Sequence, residues 1–498
     1  MKKENSTLRY VILLICVLLL GIGLRLYDLS EESLWFDEGV SVIRSEKNLT
    51  GLLEDARNAG GNPPLYFIIL HYWMELFGQS EWAVRLLSVL FGMISLVAAY
   101  RIGILLWDRP TALLTVLFAA ISHYHINHAQ EARCYTMMAA LGVLSMDLFL
   151  RLIRAPRISI MIGYVLAGSA LVYTHYYGPL FLVAQNLFLV GMWWKKAGII
   201  RIRWRRWFIL EGIILVSFLP WIHIMLGKTV AIQTQGLHYI TPSVWDIPGT
   251  LKTYAAENAY LGVVMIVLAG LSLLTIKQQT LVTAPRQSEQ KDNPTGKEMV
   301  FSNGQKICFL GLWLMTPILL PFAISQVSTP IFAHRYTIAA SFGFYILAAK
   351  GVLNLRKNYL IYPILLILVT VYFWRIYRYY TEPTREQWRE AVQRVEENAR
   401  RGDRVLVHPN YCKYYIYQYY AQREDLVLKT FSTKSPQMDE KQHQELETLI
   451  RESDRIWFVI PKKQESKKQI AEILAKNYQR KNHWEYFRID VYEFSKSP

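Results

Sequence analysis

Two carboxylates stand side by side in Leu34-Trp35-Phe36-Asp37-Glu38-Gly39, and a second polar run from His123 to Tyr135 gathers three histidines with Gln130, Glu131 and Arg133. Side chains of these kinds can take a proton from a hydroxyl, steady a developing negative charge or ligate a metal. Read locally, Asp37 is either such a carboxylate or the N-cap of a helix running through Val40 to Arg44, with Glu38 solvated; both readings stand. His123, His125 and His128 follow a His-x-His-x-x-His spacing that matches no structural zinc site and is completed by no cysteine, so hydrogen bonding at an interface accounts for them better. Glu131 and Arg133 either form an ion pair or belong to a functional site. His175, in Tyr173-Thr174-His175-Tyr176-Tyr177, and the run His334-Arg335-Tyr336 add groups that can carry or donate a proton.

The elements that must hold these residues are apolar. Of 498 residues, 52% are hydrophobic and only 19% charged, and mean hydropathy is +0.16; soluble chains carry about 25% charged residues. Apolar runs lie near 10–26, 82–106, 111–126, 135–153, 158–174, 178–194, 207–226, 257–276, 307–325, 336–354 and 359–378. The fold class expected is therefore a polytopic α-helical membrane protein of about eleven spans, by the ~20-residue criterion. Lys+Arg 55 against Asp+Glu 39 gives +16, which is read as loop charge on the cytoplasmic side rather than as a nucleic-acid surface. With the N-terminus inside, the polar runs named above fall at outer helix ends. The run Leu65 to Phe77 is too short to span and suits a helix lying along the membrane surface.

Residues 278–305 are polar and rich in turn formers, and read as a flexible cytoplasmic loop. From 381 to 498 the chain becomes water-compatible. Strand-like runs at 404–407, 426–431, 456–460 and 487–494 alternate with helical stretches at 385–400 and 468–477, as in a small extracytoplasmic α/β domain. The domains expected are thus 1–380, including a first outer loop at 27–81, and 381–498. Four scattered cysteines form no CxxC and no disulfide framework.

Several motifs, taken in order, resemble the bacterial glycosyltransferase 39 type membrane proteins, relatives of the protein O-mannosyltransferases and of the aminoarabinose transferases of lipid A. They are Trp35-x-Asp37-Glu38, Asn62-Pro63-Pro64-Leu65-Tyr66, Phe77-Gly78-x-Ser80-Glu81 with Arg85, Gln130-Glu131-Ala132-Arg133-x-Tyr135, and later Arg335-Tyr336. The resemblance implies the GT-C fold and a polyprenyl-phosphate sugar donor. It also implies Asp37 as the catalytic carboxylate with Glu38 beside it, and Arg133 and Arg335 as holders of the lipid phosphate. Trp35, Asn62, Gln130, Glu131, Tyr135, His175, His334 and Tyr336 would line the site. Asn62 stands where the protein mannosyltransferases have His, and neither a MIR-type β-trefoil nor a Trp-Trp-Asp-Tyr-Gly motif occurs.

The function this reading implies is transfer of a hexose such as mannose from polyprenyl phosphate to a hydroxyl of a glycan, lipid or protein acceptor at the outer membrane face. No nucleic acid partner and no cofactor are called for, although a divalent metal is compatible with the residues. There is no Asp-x-Asp to clamp a nucleotide sugar, and Gly227-Lys228-Thr229 lacks the first glycine of a P-loop. Two other classes remain. A lipid transporter or flippase would place its charges near span midpoints. A non-catalytic polysaccharide-assembly subunit would use the run Tyr411 to Tyr420 as a glycan platform, although its helical spacing suits an aromatic face packed on a core.

Overall fold

The computed structural model describes residues 2–58, 61–195, 200–234, 241–276, 301–431, 439–451 and 453–496. Two compact units emerge. The first comprises 1–27, 49–72 and 85–378; the second comprises 28–48, 73–84 and 379–498.

The first unit is helical. Eight helices among the described residues are long and apolar enough to cross a membrane: Thr7–Leu26, Glu81–Leu106, Tyr135–Arg154, Trp204–Met225, Ala259–Ile276, Asn303–Val327, His334–Asn354 and Asn358–Thr381. The other three expected runs form shorter helices, Arg109–Ala120, Ile158–Val172 and Gly178–Trp194, of 12, 15 and 17 residues. At 1.5 Å per residue the first of these covers only about 18 Å. Leu65–Phe77 is a 13-residue helix, also too short to span.

The apolar run expected at 111–126 is broken. Its helix ends at Ala120, and Ser122 then N-caps a new helix, His123–Ala129, although the cap hydrogen bond from the His125 N–H is long at 3.5 Å. Arg25, 1% exposed, explains how the break is tolerated. Its guanidinium donates to the carbonyls of Gly21, Ala119 and Ala120 at 2.9 to 3.1 Å. The Ala119 and Ala120 carbonyls, at the end of their helix, would otherwise lie unsatisfied inside a helix bundle. Close helix packing does the rest: a Cβ built on Gly351 would lie 1.6 Å from the Leu268 carbonyl oxygen, so only glycine lets the helices Ala259–Leu271 and Ser341–Asn354 meet.

The second unit is built on a mixed five-stranded sheet, with β1 Arg404–Val407, β2 Val427–Lys429, β3 Arg455–Pro461, β4 Tyr478–Tyr486 and β5 Ile489–Lys496 in the order β2-β1-β3-β5-β4. β1 pairs in parallel with β2 and β3, and β5 pairs antiparallel with β3 and β4. Ile456, Phe458 and Ile460 on β3 join Leu446, Ile450, Ile470 and Leu474 from the helices Glu440–Ile450 and Lys467–Asn477 in one core. Strand β4 and the helix Glu440–Ile450 had no counterpart in the sequence reading. Most of β4 is exposed at the sheet edge, so it carries charges instead of an apolar alternation. Of the loop expected at 278–305, residues 278–300 lie outside the described residues. Its last residues are ordered, with Phe301 buried and Ser302 N-capping the helix Asn303–Val327.

Candidate functional site

In the first unit the helix His123–Ala129 and the bend after it bring the expected residues of that region together. His128 Nδ1 lies 3.0 Å from Glu131 Oε2, and Asn127 donates to Glu131 Oε1 at 3.2 Å. His125 Nε2 meets Ser341 Oγ at 2.7 Å. Gln130 Nε2 donates to the carbonyls of Arg25 and Tyr27, at 3.1 and 2.7 Å, which fixes the bend against the first helix. Asn62 Nδ2 reaches Cys134 Sγ at 3.2 Å. His125 and His128 thus hydrogen-bond to different partners, Ser341 and Glu131.

Arg133 and Arg335 come from distant parts of the sequence, yet their guanidinium carbons sit 5.7 and 5.8 Å from the centroid of one ring, that of Tyr135. Arg335 also lies 5.4 Å from the Tyr336 ring, and Tyr336 packs on His175 at 4.6 Å. His175 accepts the Tyr177 backbone N–H at Nδ1, 3.1 Å away. Burial, with the charges of Arg133 and Arg335, pushes its pKa down to about 3. Of the two roles expected of His175, carrying or donating a proton, the geometry favours the second: the ring is neutral at pH 7, with its proton on Nε2. That Nε2 and the Tyr135 hydroxyl are both buried and have no hydrogen-bond partner. Two guanidiniums and the His175 ring thus lie around Tyr135, within about 6 Å of its ring centroid.

Beside this cluster a cavity of about 540 Å³ is lined by Arg335, His334, Tyr124, His128, Asp246 and Glu257 among others. His334 Nδ1 meets Thr250 Oγ1 at 2.8 Å and its Nε2 lies 3.4 Å from Asp246 Oδ1. Tyr124 donates to the His334 carbonyl at 2.7 Å. Asp246, Glu257 and Tyr124 escaped the sequence reading. Asp246 could have been noticed in Ser243-x-x-Asp246, since it accepts the Ser243 N–H at 2.8 Å in a turn that opens a short helix. Glu257 pairs with Arg375.

In the second unit the acidic pair is held by other means. The helix is Phe36–Glu46 and its N-cap is Trp35, so Asp37 sits in the first turn and is not the cap. Nor is Glu38 solvated: it is fully buried, accepts the Trp35 N–H at 3.4 Å and lies 3.8 Å from Arg385 Nη1. The preceding loop is tied to the chain after 381. Ser33 donates to the Glu386 carbonyl and the Leu34 N–H to the Tyr420 hydroxyl, both at 2.6 Å. Glu386, also missed from sequence, accepts from Trp388 Nε1 at 2.7 Å. Burial raises its pKa, and the nearby Asp37 adds to the effect.

The run Tyr411 to Tyr420 divides its faces. Tyr417 is buried, and the Tyr419 hydroxyl donates to the Gln79 carbonyl. Tyr411 and Tyr415 pack edge-on against Phe36, with centroids 4.9 and 6.0 Å away. A Cβ on Gly39 would lie 2.1 Å from the Tyr415 carbonyl oxygen, so glycine is what lets the acidic helix seat there. Among the described residues the one group with metal-binding composition is His483, Glu485 and Asp490 on the β4–β5 hairpin. Lys467 and Lys462 already pair with Asp490, so that carboxylate is balanced without an ion.

Residues 61–223 match the family model described as dolichyl-phosphate-mannose-protein mannosyltransferase. No curated protein matches the chain by sequence. The oligosaccharyltransferase of Archaeoglobus fulgidus, in complex with Zn and sulfate, is similar in fold, with a TM-score of 0.53 at 10% identity over 97% of this chain and 73% of that one. ArnT from Cupriavidus metallidurans in the apo state gives 0.49 at 12% identity, covering 98% of both chains. An ArnT structure bound to undecaprenyl phosphate gives 0.47 at 12% identity, covering 97% of this chain and 98% of that one. The chain is a polytopic helical membrane protein with the GT-C fold of membrane glycosyltransferases and a small C-terminal sheet domain.

Proposed function

We propose that this protein transfers a sugar, a hexose such as mannose, from a polyprenyl-phosphate donor to an acceptor hydroxyl at the outer face of the membrane. The observation that carries the reading is the cluster around Tyr135. Two guanidiniums from distant parts of the sequence lie over the Tyr135 ring, beside a buried His175 Nε2 and a buried Tyr135 hydroxyl that have no hydrogen-bond partner among the described residues. Leaving buried polar groups unpaired costs about 1–3 kcal/mol each, and a phosphate offers the missing acceptor oxygens. Guanidinium suits phosphate because its planar fork donates two parallel hydrogen bonds.

The chemistry then needs little more. The acceptor oxygen attacks the anomeric carbon as its proton passes to Asp37. The bond from that carbon to the phosphate oxygen breaks, with inversion, and polyprenyl phosphate leaves with its charge steadied by Arg133 and Arg335. The cavity lined by His334, Asp246 and Tyr124 offers polar groups for sugar hydroxyls. The name of the matching family, which includes a lipid-phosphate mannose, agrees with this donor class.

Replacing Tyr135 by Phe tests the reading. Loss of the hydroxyl should raise the donor KM roughly tenfold, as for one hydrogen bond to a charged group. The same change should leave Tm unchanged or higher, because it removes an unsatisfied buried group. An unchanged KM with a lowered Tm would make Tyr135 a packing residue. Mass spectrometry of envelope glycans from a deletion strain would identify the sugar and acceptor.

A further inference from the structure

At the far end of the helix bundle the structure assembles a second cluster of cations, with one carboxylate, Asp108, among them. The helix Tyr135–Arg154 has 20 residues and so runs about 30 Å from the Tyr135 cluster to Arg154. There Trp107, just past the helix Glu81–Leu106, is flanked by two lysines from other helices. Lys306 and Lys350 each hold their ammonium 5.8 Å from the Trp107 ring centroid. Lys306 is 7% exposed, and among the described residues no hydrogen bond or ion pair to its ammonium is found, although the Asp108 carboxylate acts on it electrostatically. Lys350 lies 3.8 Å from Asp108 Oδ2, while the other oxygen of that carboxylate caps the next helix by accepting the Thr111 N–H, so one carboxylate serves both lysines. The Trp107 indole N–H is buried and unpartnered as well. Lys306 feels the charges of Lys350 and Arg154 against that of Asp108, so the cations outnumber the carboxylate.

A buried ammonium beside a second cation is costly unless an anion joins it. The surroundings say which kind. Trp107 follows a 26-residue apolar helix, and Ile104, one turn earlier, is exposed at 41%. The N-terminal residue of the Lys306 helix, Asn303, donates to the Thr275 carbonyl at 2.8 Å, beside Leu274 and Ile276, which are also exposed. Indole and lysine side chains at the end of membrane helices, next to exposed aliphatic surface, mark the level of lipid headgroups.

We infer that Lys306, Lys350 and Trp107 form a binding site for the phosphate of an anionic phospholipid in the leaflet opposite the Tyr135 cluster. The site is independent of the transfer chemistry proposed above. The full-length protein, purified in detergent, is given phosphatidylglycerol, phosphatidylcholine or inorganic phosphate, and lipid retention is read by native mass spectrometry alongside Tm. Phosphatidylglycerol should be retained preferentially and raise Tm by several degrees. Lys350→Gln should lower that retention at least about threefold, and Lys306→Gln with Lys350→Gln should abolish the preference over phosphatidylcholine. Lys350 lies nearer the rim, so its single variant decides the matter if the double variant does not fold. Equal retention of the two lipids by the unmodified protein, or undiminished phosphatidylglycerol retention by Lys350→Gln, would overturn the inference. An equal Tm rise with inorganic phosphate would make this a free-anion site and overturn the lipid assignment.

Discussion

Arg133 and Arg335 share one aromatic ring, and this geometry makes charge alone an insufficient description of them. A lysine in either place keeps the positive charge but loses the planar fork and much of the contact with the Tyr135 ring. Arg133→Lys and Arg335→Lys should therefore each raise the donor KM by about tenfold with kcat less affected, measured by steady-state transfer with purified protein. Unchanged KM in both would return the arginines to a structural role. These residue types were legible in the sequence because charges are rare beside apolar runs. Asp246 and Glu257 were not: Asp246 lies outside any apolar run, and Glu257 stands at the very edge of the run 257–276, where a carboxylate reads as loop. The neutral state of His175 was equally hidden. It depends on burial by Tyr336 and Tyr177, which only the folded chain supplies.

At the scale of elements, the helix Phe36–Glu46 carries Asp37 and rests on the backbone of Tyr415. Gly39→Ala places a methyl group where a carbonyl oxygen stands, so the helix must shift. That overpacking should destabilise the second unit by about 1–3 kcal/mol and lower transfer, read by denaturation and by activity. Unchanged values for both would mean that the seat is loose. The same unit should also weaken in acid. His408 is buried, stacked on Phe431 and within 2.9 Å of Ser466 Oγ, and burial pushes its pKa down to about 4. The unfolded chain, with an ordinary pKa near 6.5, takes up the proton first. Stability conferred by neutral His408 should thus fall between about pH 6.5 and 4, by on the order of 3 kcal/mol, and level off below. Denaturation of the full chain across that range checks the slope, which His408→Gln should flatten. Strands β1, β3 and β5 were visible as short apolar runs, whereas edge strand β4 was not, because exposure removes the pattern that identifies a strand.

For the whole molecule, orientation follows from the loops. The apolar runs alternate with basic segments such as Lys195-Lys196 and Arg201 to Arg206, which the bias of Lys and Arg toward cytoplasmic loops predicts to be inside. The chain after Tyr380 should accordingly lie outside. An alkaline phosphatase fusion at that point should be active and a cytoplasm-only reporter silent, and the reverse would put the acidic loop on the wrong side for an outward site. Helix number was less legible than helix position. Apolar runs mark where helices form, but polar caps such as Ser122 and a buried guanidinium such as Arg25 decide where one ends. The most direct test of the central claim is transfer from a polyprenyl-phosphate hexose by purified protein carrying Asp37→Asn, with donor affinity measured in parallel. Asn keeps the size of Asp37 but cannot take the proton, and since Trp35 is the helix cap little stability rides on the change. The account predicts a rate lowered by about 10² to 10⁴ with donor affinity retained; near-normal turnover would contradict it.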